Sequence, residues 1–287
     1  MKKLLLLLTS FVVLASCAEG GGPPVSPRDA VLDAITAVYE AGSYHQELEM
    51  SMTAEGQSVS ITADADVDNT TQQAAMTMDL GMLGGEMEMV VDDGVIYMRS
   101  PAFERLAPTP WVSMDPAKMD PEAAAQLGGF GPGTTDPSAY AGLFAGVFDV
   151  RASGAADIDG VATTRYVGTI DLAKVLEGFS DVVGEDVDAA TKEQLEAAVE
   201  QFDALGIDEK IPFQIWIDED GLPRRQRITM DFGDLVPGTQ EALLDMTVDY
   251  SAFGESVEVA IPKASQVTDI TDMMGDMAAD ERSGAYG

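Results

Sequence analysis

Histidine and cysteine each occur only once in the 287 residues, which removes most hydrolytic and metal chemistry before any motif is sought. An enzyme needs a nucleophile with its base, a metal, or a tuned pair of acids. His45 has no second imidazole to work with, so a histidine-dependent triad and the commonest zinc ligand sets are both out of reach. With Cys17 as the only thiol, no disulfide can form within the chain. Neither Gly-x-Ser-x-Gly nor a phosphate-cradling Gly-x-x-x-x-Gly-Lys occurs. Basic residues are scarce as well. Sixteen Lys and Arg stand against 50 Asp and Glu, a formal net charge of −34 that repels nucleic acid and anionic membrane surfaces. Among so many carboxylates, any two could be paired as glycosidase acids, so such a pair carries no information. The reading is therefore non-catalytic, with no cofactor, no metal and no nucleic acid as partner.

One feature superficially suggests an ion site, and it reads as surface. Asp64-x-Asp66-x-Asp68 looks like the start of a calcium loop, yet Asn69 stands where that loop needs glycine and Ala75 where it needs an acid. A spacing of two on a strand makes it a solvated face. His45 lies at the start of a strand among polar neighbours and is read the same way.

A long apolar run is also missing. Leu4 to Leu8 and Phe11 to Leu14 are too short to span a bilayer, which takes about 20 apolar residues. Preceded by Lys2 and Lys3, they have the layout of a secretory signal over residues 1–16. The run ends in Leu14-Ala15-Ser16-Cys17, which resembles the lipobox at which bacterial lipoproteins are acylated and cleaved. That assigns the lone cysteine a role, lipidation at Cys17, and two or three acyl chains would hold firmly. Residues 17–26 are then a lipidated N-terminus with a flexible Gly/Pro tether. The expected location is the outer face of the cytoplasmic membrane, with the membrane itself a partner.

What is plentiful is alternation. Ser26-Pro27-Arg28-Asp29 opens a helix that places Val31, Ile35 and Val38 on one face and stops at Gly42. From Tyr44 the period becomes two. Leu48, Met50 and Met52 alternate with Glu47, Glu49 and Ser51, and Val59, Ile61 and Ala63 with Ser60, Thr62 and Asp64. Met76, Met78 and Leu80 continue the pattern, as do Met87 and Met89. Asp93-Gly94, Asp159-Gly160 and Asp220-Gly221 read as tight turns. After an irregular middle, Asp120-Pro121 and Asp136-Pro137 read as helix starts, the second leading to Phe144. A short helix follows Asp171, and a longer one from about Asp188 to Leu205 carries Val199 and Phe202. Strands return with Phe213 and Ile215, then with Met246 to Tyr250, and a last one is expected through Val257, Val259 and Ile261. Strands on both sides of a helical insert argue an α+β fold with one large antiparallel sheet, as a single domain over residues 27–274 and a frayed tail over 275–287.

Eight of the 16 methionines lie between Met50 and Met98, where valine and isoleucine are the usual strand residues. Methionine is flexible and polarizable and suits an apolar surface that must accommodate variable shapes. Two readings stay open: a plain closed core, or a lining for acyl chains formed by Leu48, Met50, Met52, Ile61, Met76, Met78, Leu80, Met87 and Met89. Phe144, Val199, Phe202, Phe213 and Ile215 complete that expected lining.

The lipobox, the tether and the N-terminal helix are followed by the hairpin DDGVIYM (Asp92 to Met98) and the strand at Trp111-Val112. The hairpin IPFQIWIDEDGLPRR (Ile211 to Arg225) and the closing IPKASQVTDI (Ile261 to Ile270) come after the helical insert. This succession resembles the LppX/LprA/LprF/LprG lipoproteins of mycobacteria and their actinobacterial relatives, which share a LolA-like architecture. The resemblance implies a half-barrel sheet with helices packed on its concave face. It implies a hydrophobic cavity between them that carries lipids or lipoglycans across the cell envelope, and envelope transport machinery could be a further partner. The alternative is a non-catalytic scaffold, adhesion or sensor domain with a closed core.

Overall fold

The computed structural model describes residues 25–54, 57–81, 84–103, 107–119, 146–171, 174, 210–231 and 242–275. Helix α1 (Pro27–Glu40) begins as its sequence dictates. The Ser26 hydroxyl accepts the Asp29 N–H at 3.1 Å, Pro27 occupies the first turn, and Gly42 at φ +80° carries the chain out. The buried side is Val31, Ala34 and Val38, with Ile35 packed beside it.

Twelve strands then form one open sheet. They are β1 (Ser43–Ala54), β2 (Gln57–Asp68), β3 (Gln73–Asp79), β4 (Glu86–Asp92), β5 (Val95–Arg99), β6 (Trp111–Met114), β7 (Val147–Ile158), β8 (Val161–Asp171), β9 (Lys210–Asp218), β10 (Pro223–Asp231), β11 (Ala242–Ser251) and β12 (Val267–Asp269). Their spatial order is β12-β6-β5-β4-β3-β2-β1-β11-β10-β9-β8-β7. Two meanders are thus joined through β1 and β11, which pair antiparallel from His45↔Ser251 to Ala54↔Ala242. The fold is α+β and antiparallel-dominated, as the alternation implies.

The turns follow from residue chemistry. Asp93 and Gly94 both take positive φ (47° and 79°), as do Asp159 and Gly160 (51° and 86°), the pattern a two-residue type I′ hairpin requires. At the β9–β10 turn the buried Asp218 carboxylate accepts the Asp220 and Leu222 N–H groups at 3.0 and 2.9 Å and the Arg224 Nε at 2.7 Å. One acidic side chain thereby fixes both the turn and the strand leaving it.

The structure corrects the sequence reading at the C-terminal end. Residues 255–263 form no strand, although Val257, Val259 and Ile261 alternate; Ile261 is 43% exposed. The last strand is β12, which pairs parallel to β6 (Thr268↔Val112), so the sheet is not joined by hairpins alone. The expected helix starts at Asp120 and Asp136, the helix of residues 188–205 and the tail beyond 275 lie outside the described residues, as does most of the helix after Asp171. Among the described residues α1 is the one long helix, and none is long and apolar enough to cross a membrane.

Two apolar clusters anchor the sheet. At one end α1 contributes Val31 and Ala34 against Val147, Phe213, Ile215 and Ile217. At the other, Met89, Ile96, Met114 and Met119 are buried, with Met76, Met98 and Met274 packed around them. Gly168 is required by the first cluster. A Cβ there would stand 2.7 Å from the Phe213 ring and 3.0 Å from the Phe148 carbonyl oxygen, on a sheet where Phe213 is only 4% exposed. Gly168→Ala is expected to destabilise the protein by about 1–3 kcal/mol through overpacking, read as a lowered urea midpoint with an unchanged m-value.

Candidate functional site

Strand alternation sorts every central strand into an inner face, on which α1 sits, and an outer face. Register then aligns the inner residues into rows. Leu48 stands opposite Val248 on one side and Ala63 on the other, Ala63 opposite Met78, and Met78 opposite Met87. A second row runs Phe213, Ile228, Met246, Met50, Ile61. A third runs Ala65, Met76, Met89, Met98, Val112. The first two rows carry apolar side chains across the β1–β11 junction and the third runs within the first meander, with Gln46 and Gln226 as polar inner positions next in register to Ala65 and Val248.

Burial along the rows is graded. Phe213, Ile215 and Met89 are buried, and Leu48, Met50, Ile61, Met76, Met78 and Met87 are half-buried. Met52, at the far end of β1, is 53% exposed. Leu80 is half-buried but lies one residue past the end of β3, where its N–H bonds to the Gly85 carbonyl oxygen at 2.9 Å. Phe144, Val199, Phe202 and Cys17 lie outside the described residues. The inner positions that the sequence reading missed are Met246, Val248 and Ile228. Their alternation was visible, but nothing local shows that β11 pairs with β1.

The outer face is polar and its charges are organised. Arg225 sits directly opposite Asp249 and donates to it through two nitrogens at 2.5 and 2.6 Å, and Arg227 donates to Asp245. Arg99 pairs with Glu88, also directly opposite in register. An open groove of about 500 Å³ runs across this face, lined among others by Glu47, Glu49, Asp64, Asp79, Asp249 and Arg225. His45 lies beside it, half-buried, with its Nδ1 2.9 Å from Asp66 Oδ1 and its Nε2 3.4 Å from Asp64 Oδ2. Burial lowers the imidazole pKa, but the Asp66 hydrogen bond and the charges of Asp64, Asp66 and Glu47 outweigh it and hold it above the ordinary histidine value. A histidine pKa raised by folding adds stability that is complete below the unfolded value and disappears as pH climbs through the folded one. In an NMR titration His45 should titrate above a free histidine. Asp66→Asn should bring it down, and the stability difference between the two proteins should shrink as the pH rises past neutrality.

The architecture is thus an open antiparallel-dominated sheet with an apolar inner face and a helix on one end. The LppX_LprAFG lipoprotein family model matches residues 26–259, nearly the whole described sheet, and the chain belongs to that family. Among solved structures it is similar to LppX of Mycobacterium tuberculosis, at 18% identity and a TM-score of 0.48 over 82% of this chain and 98% of that one. It is similar to LprF of Mycobacterium bovis at 20% identity and a TM-score of 0.49, over 85% and 100% of the two chains. An uncharacterized 31.2 kDa protein of the rplA-rplJ intergenic region in Streptomyces griseus is 30% identical over 126 residues. That match spans 44% of this chain and 36% of the relative.

Proposed function

We propose that this chain is an exported lipoprotein, anchored through an acylated Cys17 to the outer face of the cytoplasmic membrane. It binds the acyl chains of a lipid or lipoglycan on its inner face and carries them across the cell envelope. The observation that supports this reading most is the run of inner rows from Phe213 to Met87, apolar across the junction of the two meanders and half-buried over its centre. Methionine at Met50, Met76, Met78, Met87 and Met246 gives that surface side chains that repack around tails of different shape.

The energetic argument is direct. Each methylene of an acyl chain exposed to water costs about 0.8 kcal/mol, so a lipid crosses an aqueous gap only when an apolar surface replaces the membrane. A tether at Cys17 would keep that surface next to the membrane from which the lipid comes, and about −34 of net charge keeps the protein soluble off that membrane. Membership of a lipoprotein family supports the anchor. Binding needs no catalytic group, in keeping with a chain whose single histidine lies on the outer face.

Native mass spectrometry of the chain purified from a lipid-producing host is expected to show co-purifying lipid. A fluorescent hexadecanoyl probe should bind, and Met50→Asp at the half-buried centre should weaken it at least tenfold while the protein stays folded. Met89→Asp, in the closed cluster, should instead unfold it, because a buried unpaired charge is expensive. Absence of both lipid and probe binding in the folded protein would favour a closed scaffold or sensor module.

A further inference from the structure

The outer face of the β1–β2 hairpin carries four titratable side chains in a two-by-two array. His45 and Glu47 follow each other on β1, and Asp66 and Asp64 stand directly opposite them on β2. Opposed carboxylates such as Glu47 and Asp64 repel and weaken a strand pair. At three other places on this face a carboxylate meets an arginine, Arg225–Asp249, Arg227–Asp245 and Arg99–Glu88, while Asp79 and Glu86 stand opposed as a second carboxylate pair. Between Glu47 and Asp64 the group presented is an imidazole nitrogen.

The orientation of that imidazole is what separates this array from the many other carboxylates of the surface. Nδ1 is tied to Asp66 at 2.9 Å, so in the neutral ring the proton resides on Nδ1 and the Nε2 lone pair is free. Nε2 points between the carboxylates, 3.4 Å from Asp64 Oδ2 and 3.8 Å from Glu47 Oε1. One donor atom from each of His45, Glu47 and Asp64 lies within 4.8 Å of the others. A tetrahedral ion with bonds of about 2.1 Å sets its donors about 3.4 Å apart, close to these separations. A carboxylate holding the far nitrogen of a ligating histidine is the usual support for such a ligand.

We propose that His45 Nε2, Glu47 and Asp64 form a binding site for a divalent transition ion of the zinc type, with Asp66 as the positioning residue. One nitrogen and two carboxylate oxygens suit zinc better than calcium or magnesium, which take oxygen alone. The three protein donors leave a fourth position facing outward, beside the groove that Glu47 and Asp64 help to line. The site is separate from the inner face and does not depend on what binds there.

The single histidine makes the test unambiguous, since the imidazole signals of the full chain need no assignment. Zn²⁺ alone, titrated at mildly alkaline pH and followed by imidazole ¹⁵N NMR and calorimetry, should shift Nε2 at one equivalent and leave Nδ1 protonated. Asp66→Asn should weaken binding about tenfold, as loss of the group behind a ligand does. His45→Gln and the pair Glu47→Gln with Asp64→Asn should each weaken it more than tenfold, and Glu258→Gln should change nothing. An imidazole that does not respond to Zn²⁺, or a His45→Gln protein that binds with unchanged affinity, overturns the proposal and assigns any uptake to diffuse carboxylate binding.

Discussion

Antiparallel pairing of β1 with β11 is the constraint on which the rest of the molecule depends. Each meander alone is a sheet with a bare edge and an apolar face too small to shield itself. Joined from His45↔Ser251 to Ala54↔Ala242, they become one twelve-stranded surface. Because side chains alternate with a period of two, one register decides everything on both faces. A slip by a single residue would set Met50 opposite Asp245 or Thr247 instead of Met246, mixing apolar and polar side chains on each face of the joined sheet. The neighbouring β10–β11 and β1–β2 registers act in the same way, aligning inner apolar residues while setting Arg225 against Asp249 and His45 against Asp66.

This division of labour accounts for how so acidic a chain keeps an ordinary core. Among the described residues, the carboxylates of the central strands β1–β4 and β10–β11 lie on the outer face, where a few arginines meet them in pairs. Exposed pairs of this kind contribute roughly 0–1 kcal/mol each, so they relieve repulsion more than they stabilise. The favourable free energy comes from the two apolar clusters at the ends of the sheet. Between them the inner surface is less deeply buried, which is where an adaptable surface is most useful.

Much of this was legible in the chain. The serine cap and Pro27 placed α1, Asp-Gly pairs placed two type I′ hairpins, and alternation placed the strands from Tyr44 to Met98, because these signals are local. Pairing between distant strands was not legible: nothing near Met246 reveals that it faces Met50 about two hundred residues away. The same limit hid the grouping of His45, Glu47 and Asp64, since each looked like an ordinary solvated position until the hairpin register set them side by side. Val257 to Ile261 misled for the opposite reason. Its alternation is genuine, but the C-terminal partner that β6 takes is β12. The acyl lining proposed for Leu48, Met50 and their neighbours rests on residue type and on the rows in which the strand registers align them.

An open sheet has two edges, and here each is made unattractive to another chain. β7 breaks its register twice, between Phe148 and Arg151 and between Ala152 and Ala155, with Asp149 and Gly154 at positive φ. β12 offers only three residues. A long flat edge would template strand addition by a neighbouring copy. With one edge kinked and the other cut short, many copies of this methionine-rich sheet can crowd together without one sheet extending into the next.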